Sequence, residues 1–178
     1  MRKAKNLLLL LLCGSFFMMC ALGSSTDPDV SSDSGGTKAE KNDTLSTYKL
    51  NEDIYITNNS GKYRVKFTSI KETTKRNNYT DTKADRVVIL EWEYENLTIE
   101  EDLLISDMLN FKLYDKDNNK LESYPITDGI KYGGNVGKGR KTVSSEAYAL
   151  NSSENYIELE FYDNVWNSKP DCKVIVEW

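Results

Sequence analysis

The stretch "DRVVILEWEYEN", residues 85–96, decides the fold, because its apolar side chains recur at every second position. One side of the segment is apolar and the other is acidic: Val88, Leu90, Trp92 and Tyr94 against Glu91, Glu93 and Glu95. A period of two is that of a β-strand, whose successive side chains point to opposite faces. The segment therefore predicts a strand with one packed and one solvated face, as in antiparallel sheets.

Shorter segments on both sides repeat this alternation. Their predicted core faces are Ile54 and Ile56; Tyr63, Val65 and Phe67, with Lys62, Arg64 and Lys66 on the wet side; Phe111 and Leu113; Ile157, Leu159 and Phe161; and Cys172, Val174, Val176 and Trp178. The segment "TVSSEAYAL" predicts a weaker strand whose apolar face carries Val143, Ala147 and Ala149. Seven or eight short strands separated by turns predict an all-β antiparallel sandwich.

One segment has a helical signature. In "TIEEDLLISDML", residues 98–109, Thr98 could cap a helix, with Glu101 three positions later as in a capping box. We expect this segment to cross between strands and to contain one helical turn.

The amino terminus predicts export. Basic residues in "MRKAKN" precede an apolar run, residues 7–22, that is shorter than the roughly 20 residues of a membrane span. We interpret residues 1–23 as a signal peptide, 24–46 as a flexible Ser/Asp/Gly-rich linker and 47–178 as the folded domain.

Cys20 ends the apolar run and precedes the polar linker, which resembles the arrangement of bacterial lipoproteins. In those proteins the cysteine is acylated and becomes the mature amino terminus, although the motif has a small residue where this chain has Met19. We expect lipidation at Cys20 and a membrane-anchored domain. The alternative is cleavage after "ALG", which would release a secreted chain beginning at Ser24.

Composition excludes several functions. The chain has 28 acidic and 23 basic residues, and its lysines are scattered, so it has no electrostatic footprint for nucleic acid. It contains no histidine, which excludes imidazole catalysis, Ser-His-Asp or Cys-His nucleophile pairs and histidine metal sites. We expect no enzyme, no catalytic residues, no cofactor and no metal. Cys172 is the one cysteine of the folded part, so it predicts a small buried residue rather than a disulfide.

Two motifs resemble ligand loops. "GGNVGKGRKT", residues 133–142, has Arg140 where a phosphate loop needs lysine, and a strand pattern follows it, so it predicts a turn that leads into a strand. "DKDNNK" begins like a calcium loop at Asp115, but Lys120 replaces the required glycine and Ile126 the required glutamate. We interpret this motif as a hairpin turn.

The segments "VVILEWEYENLT", "LNFKLYDKDNNKLES", "VGKGRKTVSSEAYAL" and "YIELEFYD" resemble a family of bacterial exported immunoglobulin-like domains. These domains, often called telokin-like and of unknown function, occur in Gram-positive lipoproteins and secreted antigens. The resemblance covers residues 48–163, with Asn96 and the "YDKDNN" turn as its most specific parts. It implies an immunoglobulin-like sandwich at the cell surface and supplies no catalytic residues.

We therefore expect a non-enzymatic extracytoplasmic domain that binds a protein or an envelope component. Four tyrosines are candidates for an outward contact face: Tyr55, Tyr114, Tyr156 and Tyr162. The alternative is a secreted small-ligand or calcium-binding module that uses polar loops 73–85 and 124–142 at the ends of the sandwich.

Overall fold

The computed structural model describes residues 45–178, so the predicted signal peptide, Cys20 and residues 24–44 of the predicted linker lie outside the described residues. The secondary-structure elements of residues 45–178 are β1 (Ser46–Lys49), β2 (Ile54–Asn58), β3 (Gly61–Thr73), β4 (Arg86–Asn96), α1 (Asp107–Asn110), β5 (Phe111–Tyr114), β6 (Glu122–Ser123), β7 (Arg140–Leu150), β8 (Tyr156–Phe161) and β9 (Cys172–Glu177). No helix in this range is long and apolar enough to cross a membrane.

The strands form two sheets. Sheet A has the order β1-β9-β8-β5, and sheet B has the order β2-β3-β4-β7-β6. The two sheets confirm the predicted all-β, immunoglobulin-like sandwich. Residues 45–178 contain nine strands rather than seven or eight, because the short edge strand β1 has no alternating apolar pattern. The pairings are antiparallel except that β1 runs parallel to β9.

The core lies between the inner faces of the two sheets, and β4 forms its centre. The predicted core face of β4 is fully buried: Val88, Leu90, Trp92 and Tyr94. Trp92 meets Phe111 of sheet A edge to face, with ring centroids 4.9 Å apart. The indole nitrogen of Trp92 donates a hydrogen bond to the carbonyl oxygen of Ile105 at 3.3 Å. Trp92 therefore joins the two sheets and fixes the chain that crosses between them.

Cys172 is buried at the start of β9, which confirms its interpretation as a core residue. Burial, together with the negative charge of Asp171, raises the pKa of the Cys172 thiol to about 12. The thiol therefore stays protonated and unreactive at neutral pH.

The structure confirms the weaker strand as β7 but corrects its orientation. Pairing with β4 places Val143, Ala147 and Ala149 on the outer face of sheet B, while Tyr148 and Leu150 face the core. A second apolar layer, contributed by the segment after β6, covers the alanines: Tyr124, Ile126 and Ile130. The expected core face was wrong because this added layer makes the outer face of β7 apolar as well.

Residues 97–106 lead from sheet B to sheet A, as predicted for the helical candidate. The single helical turn, α1, lies at the end of that segment. Thr98 does not cap it; instead, the Thr98 hydroxyl accepts a hydrogen bond from the amide of Lys62 at 2.8 Å. Ser106 occupies the position before the helix and makes no capping hydrogen bond through its side chain.

Asn96 fixes the start of this crossover from a fully buried position. Its amide nitrogen donates to the carbonyl oxygens of Glu101 at 3.0 Å and Val136 at 3.2 Å. Its side-chain oxygen accepts from the amide of Ile99 at 2.9 Å. One side chain thus satisfies three buried backbone groups and joins the crossover to the loop before β7.

The glycine-rich motif forms the predicted turn. The amide of Arg140 donates to the carbonyl oxygen of Gly137 at 3.0 Å, and β7 begins at Arg140. Gly139 has a φ of +72°, a conformation that glycine adopts without steric cost. No helix follows the motif, so it does not present a helix amino terminus to a phosphate.

Arg64 was predicted to lie on the solvent-exposed face of β3. It is instead 9% exposed, because acidic side chains surround its guanidinium. Its guanidinium donates to Asp53 at 2.7 Å, to Glu95 at 2.9 Å and also to Glu93. Lys66 pairs with Asp53 at 2.9 Å. This part of the outer face of sheet B is therefore a connected charge network rather than a row of separate solvated side chains.

This network predicts a pH dependence of stability. Hydrogen bonds from Lys66 and then Arg64 lower the pKa of Asp53. Burial alone would raise the pKa of Glu93, but hydrogen bonds from Arg64 and Lys141 outweigh it and lower that pKa. Such carboxylates stabilise the folded state above their usual pKa of about 4, and this contribution is lost as the pH falls through the lowered values.

We expect Arg64→Met to lower the melting temperature most at neutral pH, and its difference from the unaltered protein to shrink below about pH 4. Thermal unfolding followed by circular dichroism between neutral pH and about pH 3 measures this. Lys62→Met is the control, because Lys62 is exposed on the same strand and has no ion pair within residues 45–178. A constant difference for Arg64→Met across this range would contradict the prediction.

Candidate functional site

A cleft opens between β5 at the edge of sheet A and β6–β7 at the edge of sheet B. It has a volume of about 430 Å³, and we call it the edge cleft. The alternation of β5 turns Phe111 and Leu113 inward, and Leu121 follows the turn after β5, so these three side chains give the cleft apolar walls. Helix α1 and the loop after β8 contribute the remaining border.

Tyr148 of β7 also lines the edge cleft and is 4% exposed. Among the buried side-chain polar atoms of residues 45–178, its hydroxyl is without a hydrogen-bond partner. Burial raises the pKa of Tyr148 well above the ordinary value, and the nearby negative charges of Asp107 and Glu146 raise it further. The hydroxyl therefore stays protonated, and Asp107 lies near it without completing a hydrogen bond of ordinary geometry.

Asp107 and Glu146 are the two acids beside this hydroxyl. Neither forms an ion pair with any residue that the structure describes. The hydroxyl of Ser123 donates to the Glu146 carboxylate at 3.0 Å. Burial nevertheless raises the pKa of Glu146, and the charge of Asp107 adds to the effect. Asp107 and Tyr148 line the edge cleft, and Glu146 lies beside them outside its lining; we call these three residues the polar floor.

Two lysines also line the edge cleft, but neither lies in the polar floor. The ammonium of Lys112 stands 4.4 Å from the ring centroid of Tyr162 and 3.3 Å from its hydroxyl. Lys120 and Glu122 flank Leu121, and both are exposed. Their opposite charges therefore offset each other.

Exposed apolar side chains border the mouth of the cleft. Met108, Leu109 and Val165 line it, and Trp166 follows Val165; we call these four residues the apolar rim. Met108 is 89% exposed and Trp166 is 90% exposed. Apolar side chains that are exposed together around a concave surface are typical of binding sites.

The four tyrosines that the sequence predicted on an outward contact face are not all exposed. Tyr162 is 5% exposed, so its expected outward position was wrong. Its hydroxyl donates to Glu160 at 2.7 Å, and Lys112 covers its ring. The Tyr162 side chain therefore makes its contacts within the chain.

Tyr114 and Tyr156 are half-buried on sheet A, and the ammonium of Lys116 stands 4.4 Å from the ring centroid of Tyr156. Tyr55 is 63% exposed but belongs to β2, in the other sheet. The four tyrosines therefore do not form one continuous exposed surface.

The two long loops of the alternative hypothesis contact each other. The hydroxyl of Tyr124 accepts from the amide of Asn77 at 3.1 Å, and the side-chain amide of Asn77 donates to the carbonyl oxygen of Pro125 at 2.7 Å. A shallow cavity of about 300 Å³ lies between the loops. The loop after β6 packs on the outer face of sheet B through Tyr124, rather than standing free at an end of the sandwich.

The "DKDNNK" motif forms the predicted hairpin turn. The Asp115 carboxylate accepts from the amides of Asp117 at 2.9 Å and Asn119 at 2.8 Å, and Asn118 has a φ of +63°. The carboxylate thus organises its own turn. Over residues 45–178, no group of three or more Cys, Asp or Glu side chains is placed to hold a metal ion.

The sequence did not single out the residues of the polar floor. The sequence of β7 nevertheless contains an indication of a site, because the polar residues Ser144, Glu146 and Tyr148 occupy alternate positions on its core-facing side. Polar residues at positions that face a core indicate either a partner or a site. The alanines on the other side of the strand obscured this pattern.

No protein-family model matches the chain, and no curated protein is significantly similar to it. Solved structures are similar in fold. The secreted protein MPT63 of Mycobacterium tuberculosis has 13% sequence identity and a TM-score of 0.55, with 74% of this chain and 96% of that chain covered.

Two proteins of Bacillus subtilis have related folds. The protein ycdA, described as a candidate lipoprotein, has 16% identity and a TM-score of 0.53, covering 71% of this chain and 39% of that chain. The protein yjhA has 20% identity and a TM-score of 0.50, covering 73% and 98%. At these identities the similarity establishes a shared β-sandwich fold.

Proposed function

We propose that the chain is an exported lipoprotein whose β-sandwich domain binds a protein or another envelope component at the edge cleft, without catalysing a reaction. The observation that carries the binding function is the apolar rim, where Met108 and Trp166 expose nine-tenths of their surface. Burying such side chains against a partner stabilises a complex by about 25 cal/mol per Å² of apolar surface.

The amino-terminal sequence supports placement outside the cytoplasm. Residues 1–23 have the charge and hydropathy of a signal peptide, and Cys20 stands where acylation would anchor the chain. The complete lack of histidine supports a binding rather than a catalytic role.

The placement is tested by the intact mass of the mature protein, recovered separately from the membranes and the medium of its native host. A chain that begins at Cys20 and carries acyl mass supports the lipoprotein. An unmodified chain that begins near Ser24 and is found in the medium would overturn the anchor and favour a diffusible protein.

The binding function is tested with a photo-crosslinking residue at Met108 in the same host. We expect the crosslinking residue at position 108 to give one dominant covalent adduct with a partner. This adduct should disappear when the same chain also carries Trp166→Ser. Tyr55 is the matched control site, because it is an exposed aromatic residue on the other sheet. The same adducts in equal yield from Met108 and Tyr55 would contradict binding at the edge cleft.

A further inference from the structure

We infer that the apolar rim docks on the lipid surface of the membrane that anchors the chain. The inference rests on the proposed function, because it identifies the envelope component that the rim binds as a phospholipid bilayer. Three observations carry it: the place where the chain enters the domain, the position of the exposed apolar side chains, and the hydrogen bonds of the loop that contains Trp166.

The chain enters the domain at the same end of the sandwich as the apolar rim. One row of paired residues crosses sheet A at this end, from the start of β1 to the start of β5: Ser46, Cys172, Phe161 and Phe111. Three strand spacings separate β1 from β5, which is about 15 Å. The loop between β8 and β9 follows this row, and its residues Asn167 and Asp171 line one cavity together with Leu45. An anchor upstream of Leu45 therefore tethers this end more closely to the membrane than the opposite end.

The length of the predicted linker keeps the rim within reach of the bilayer. About 25 residues separate Cys20 from Leu45, and a coil of that length has an r.m.s. span of about 28 Å. Such a tether gives the domain an effective concentration on the order of millimolar at the membrane. A surface that binds lipid only weakly from free solution is therefore docked in the anchored protein. The chain itself holds the bilayer near the rim, whereas a protein partner must first reach it.

The exposed apolar side chains of the domain lie together at this end. Within residues 45–178, the large hydrophobic residues that are exposed are three tyrosines, the four residues of the apolar rim and Leu104. Leu104 lines a cavity with Asn110 at the end of α1 and Asp163 after β8, so it lies beside the rim. Trp166 is 90% exposed, and tryptophan is enriched where proteins meet the membrane interface.

The charges around the rim make apolar burial the driving force for docking. Two acids and two lysines line the edge cleft, and they offset each other: Asp107, Glu122, Lys112 and Lys120. Residues 164–170, the tip of the loop, contain Lys169 and no acid. A lysine stem can lie along apolar surface while its ammonium reaches the headgroups. Docking should therefore depend little on salt, unlike binding through a basic patch.

The loop that contains Trp166 satisfies its tip amides internally. The side-chain oxygen of Asn164 accepts from the amide of Trp166 at 3.0 Å, and its carbonyl oxygen accepts from the amide of Asn167 at 2.9 Å. At the base of the loop, the amide of Asp171 donates to the carbonyl oxygen of Phe161 at 2.7 Å. Amides without partners are costly in lipid, so this bonding allows the tip to enter the interface without that cost.

The first test uses the full acylated mature chain in vesicles of phosphatidylcholine and phosphatidylglycerol, with an environment-sensitive fluorophore attached through Met108→Cys. Tyr79→Cys is the matched control, because Tyr79 is 98% exposed in the loop before β4, at the opposite end of the sandwich. Labelling is selective, since Cys172 is buried and Cys20 carries the acyl group in this chain.

We expect nitroxide-labelled lipids to quench the fluorophore at position 108 at least about fivefold more than the one at position 79, at low and at high salt. Equal quenching at the two positions would overturn the inference. Quenching at position 108 that is lost at high salt would also overturn it, because it would assign the contact to charge rather than to the apolar rim.

A second substitution tests the rim itself. In the chain labelled at position 108, Trp166→Ser should reduce quenching by about threefold or more, because the most exposed apolar side chain of the rim is removed. Tyr55→Ser, on the other sheet, should leave quenching unchanged. Unchanged quenching in Trp166→Ser would contradict docking through the rim.

The vesicles contain no other protein, so quenching at position 108 assigns the contact to lipid. A fluorophore that stays in water in the vesicles, together with a protein crosslinked at position 108 in the host, would overturn this inference and leave the proposed function standing. A mature chain that begins near Ser24 without acyl mass would overturn the inference together with the anchor, and binding at the edge cleft would still be decided by the crosslink.

Discussion

Replacing Trp92 with alanine is expected to lower the free energy of unfolding by about 4 kcal/mol, a large part of the stability of a domain this size. The indole is 2% exposed, meets Phe111 edge to face and donates a hydrogen bond to the carbonyl oxygen of Ile105. Alanine would leave a cavity between the sheets and an unsatisfied carbonyl in the crossover. Urea unfolding followed by circular dichroism measures the change.

Trp166→Ala is the matched control, because it removes the same side chain from a site that is 90% exposed. We expect this control to change stability by less than about 0.5 kcal/mol. Trp92→Phe should fall between the two, since it retains the aromatic contact and loses the hydrogen bond. Similar losses from Trp92→Ala and Trp166→Ala would refute the central role of Trp92.

Asn96→Ala is expected to destabilise the domain by about 3 kcal/mol, although it removes few apolar contacts. The side chain is the partner of the carbonyl oxygens of Glu101 and Val136 and of the amide of Ile99. Asn96→Asp should be at least as harmful, because a carboxylate oxygen would face the two carbonyl oxygens. Hydrogen exchange should accelerate first at the Ile99 amide.

Asn167→Ala, at an exposed loop position, serves as the comparison for Asn96. Its unfolding midpoint in urea should stay close to that of the unaltered protein. If Asn96→Ala lost no more stability than Asn167→Ala, the buried amide would not hold the crossover in place.

The central strands could be predicted from the sequence because burial alone dictates their pattern. In β8, β9 and the half of β4 from Leu90 onward, one face packs in the core and the other meets solvent or charged side chains, so alternation is clear. The short strand β1 escaped prediction, since it forms only by pairing with β9, which is distant in the sequence. The orientation of β7 was hidden for a related reason: residues of the segment after β6 make its outer face apolar.

The candidate site could not be predicted because its residues come from different parts of the chain. Asp107 lies on a helical turn, Ser123 on a two-residue strand and Tyr148 on a long strand. No fixed sequence spacing relates them. Arg64 shows the same limit, since only the folded structure brings Asp53, Glu93 and Glu95 around its guanidinium.

The order of sheet A has a mechanical consequence. Strand β1 lies at one edge and β5, which borders the edge cleft, lies at the other. In a tethered protein, tension between the anchor and a bound partner would cross every strand-to-strand interface of this sheet. The four-residue β1 would detach first, because none of its side chains is buried, whereas β5 at the other edge buries Phe111 and Leu113 in the core. Its detachment would lengthen the tether by about 13 Å and leave the core intact. The domain would thus absorb a pull as extension before it unfolds.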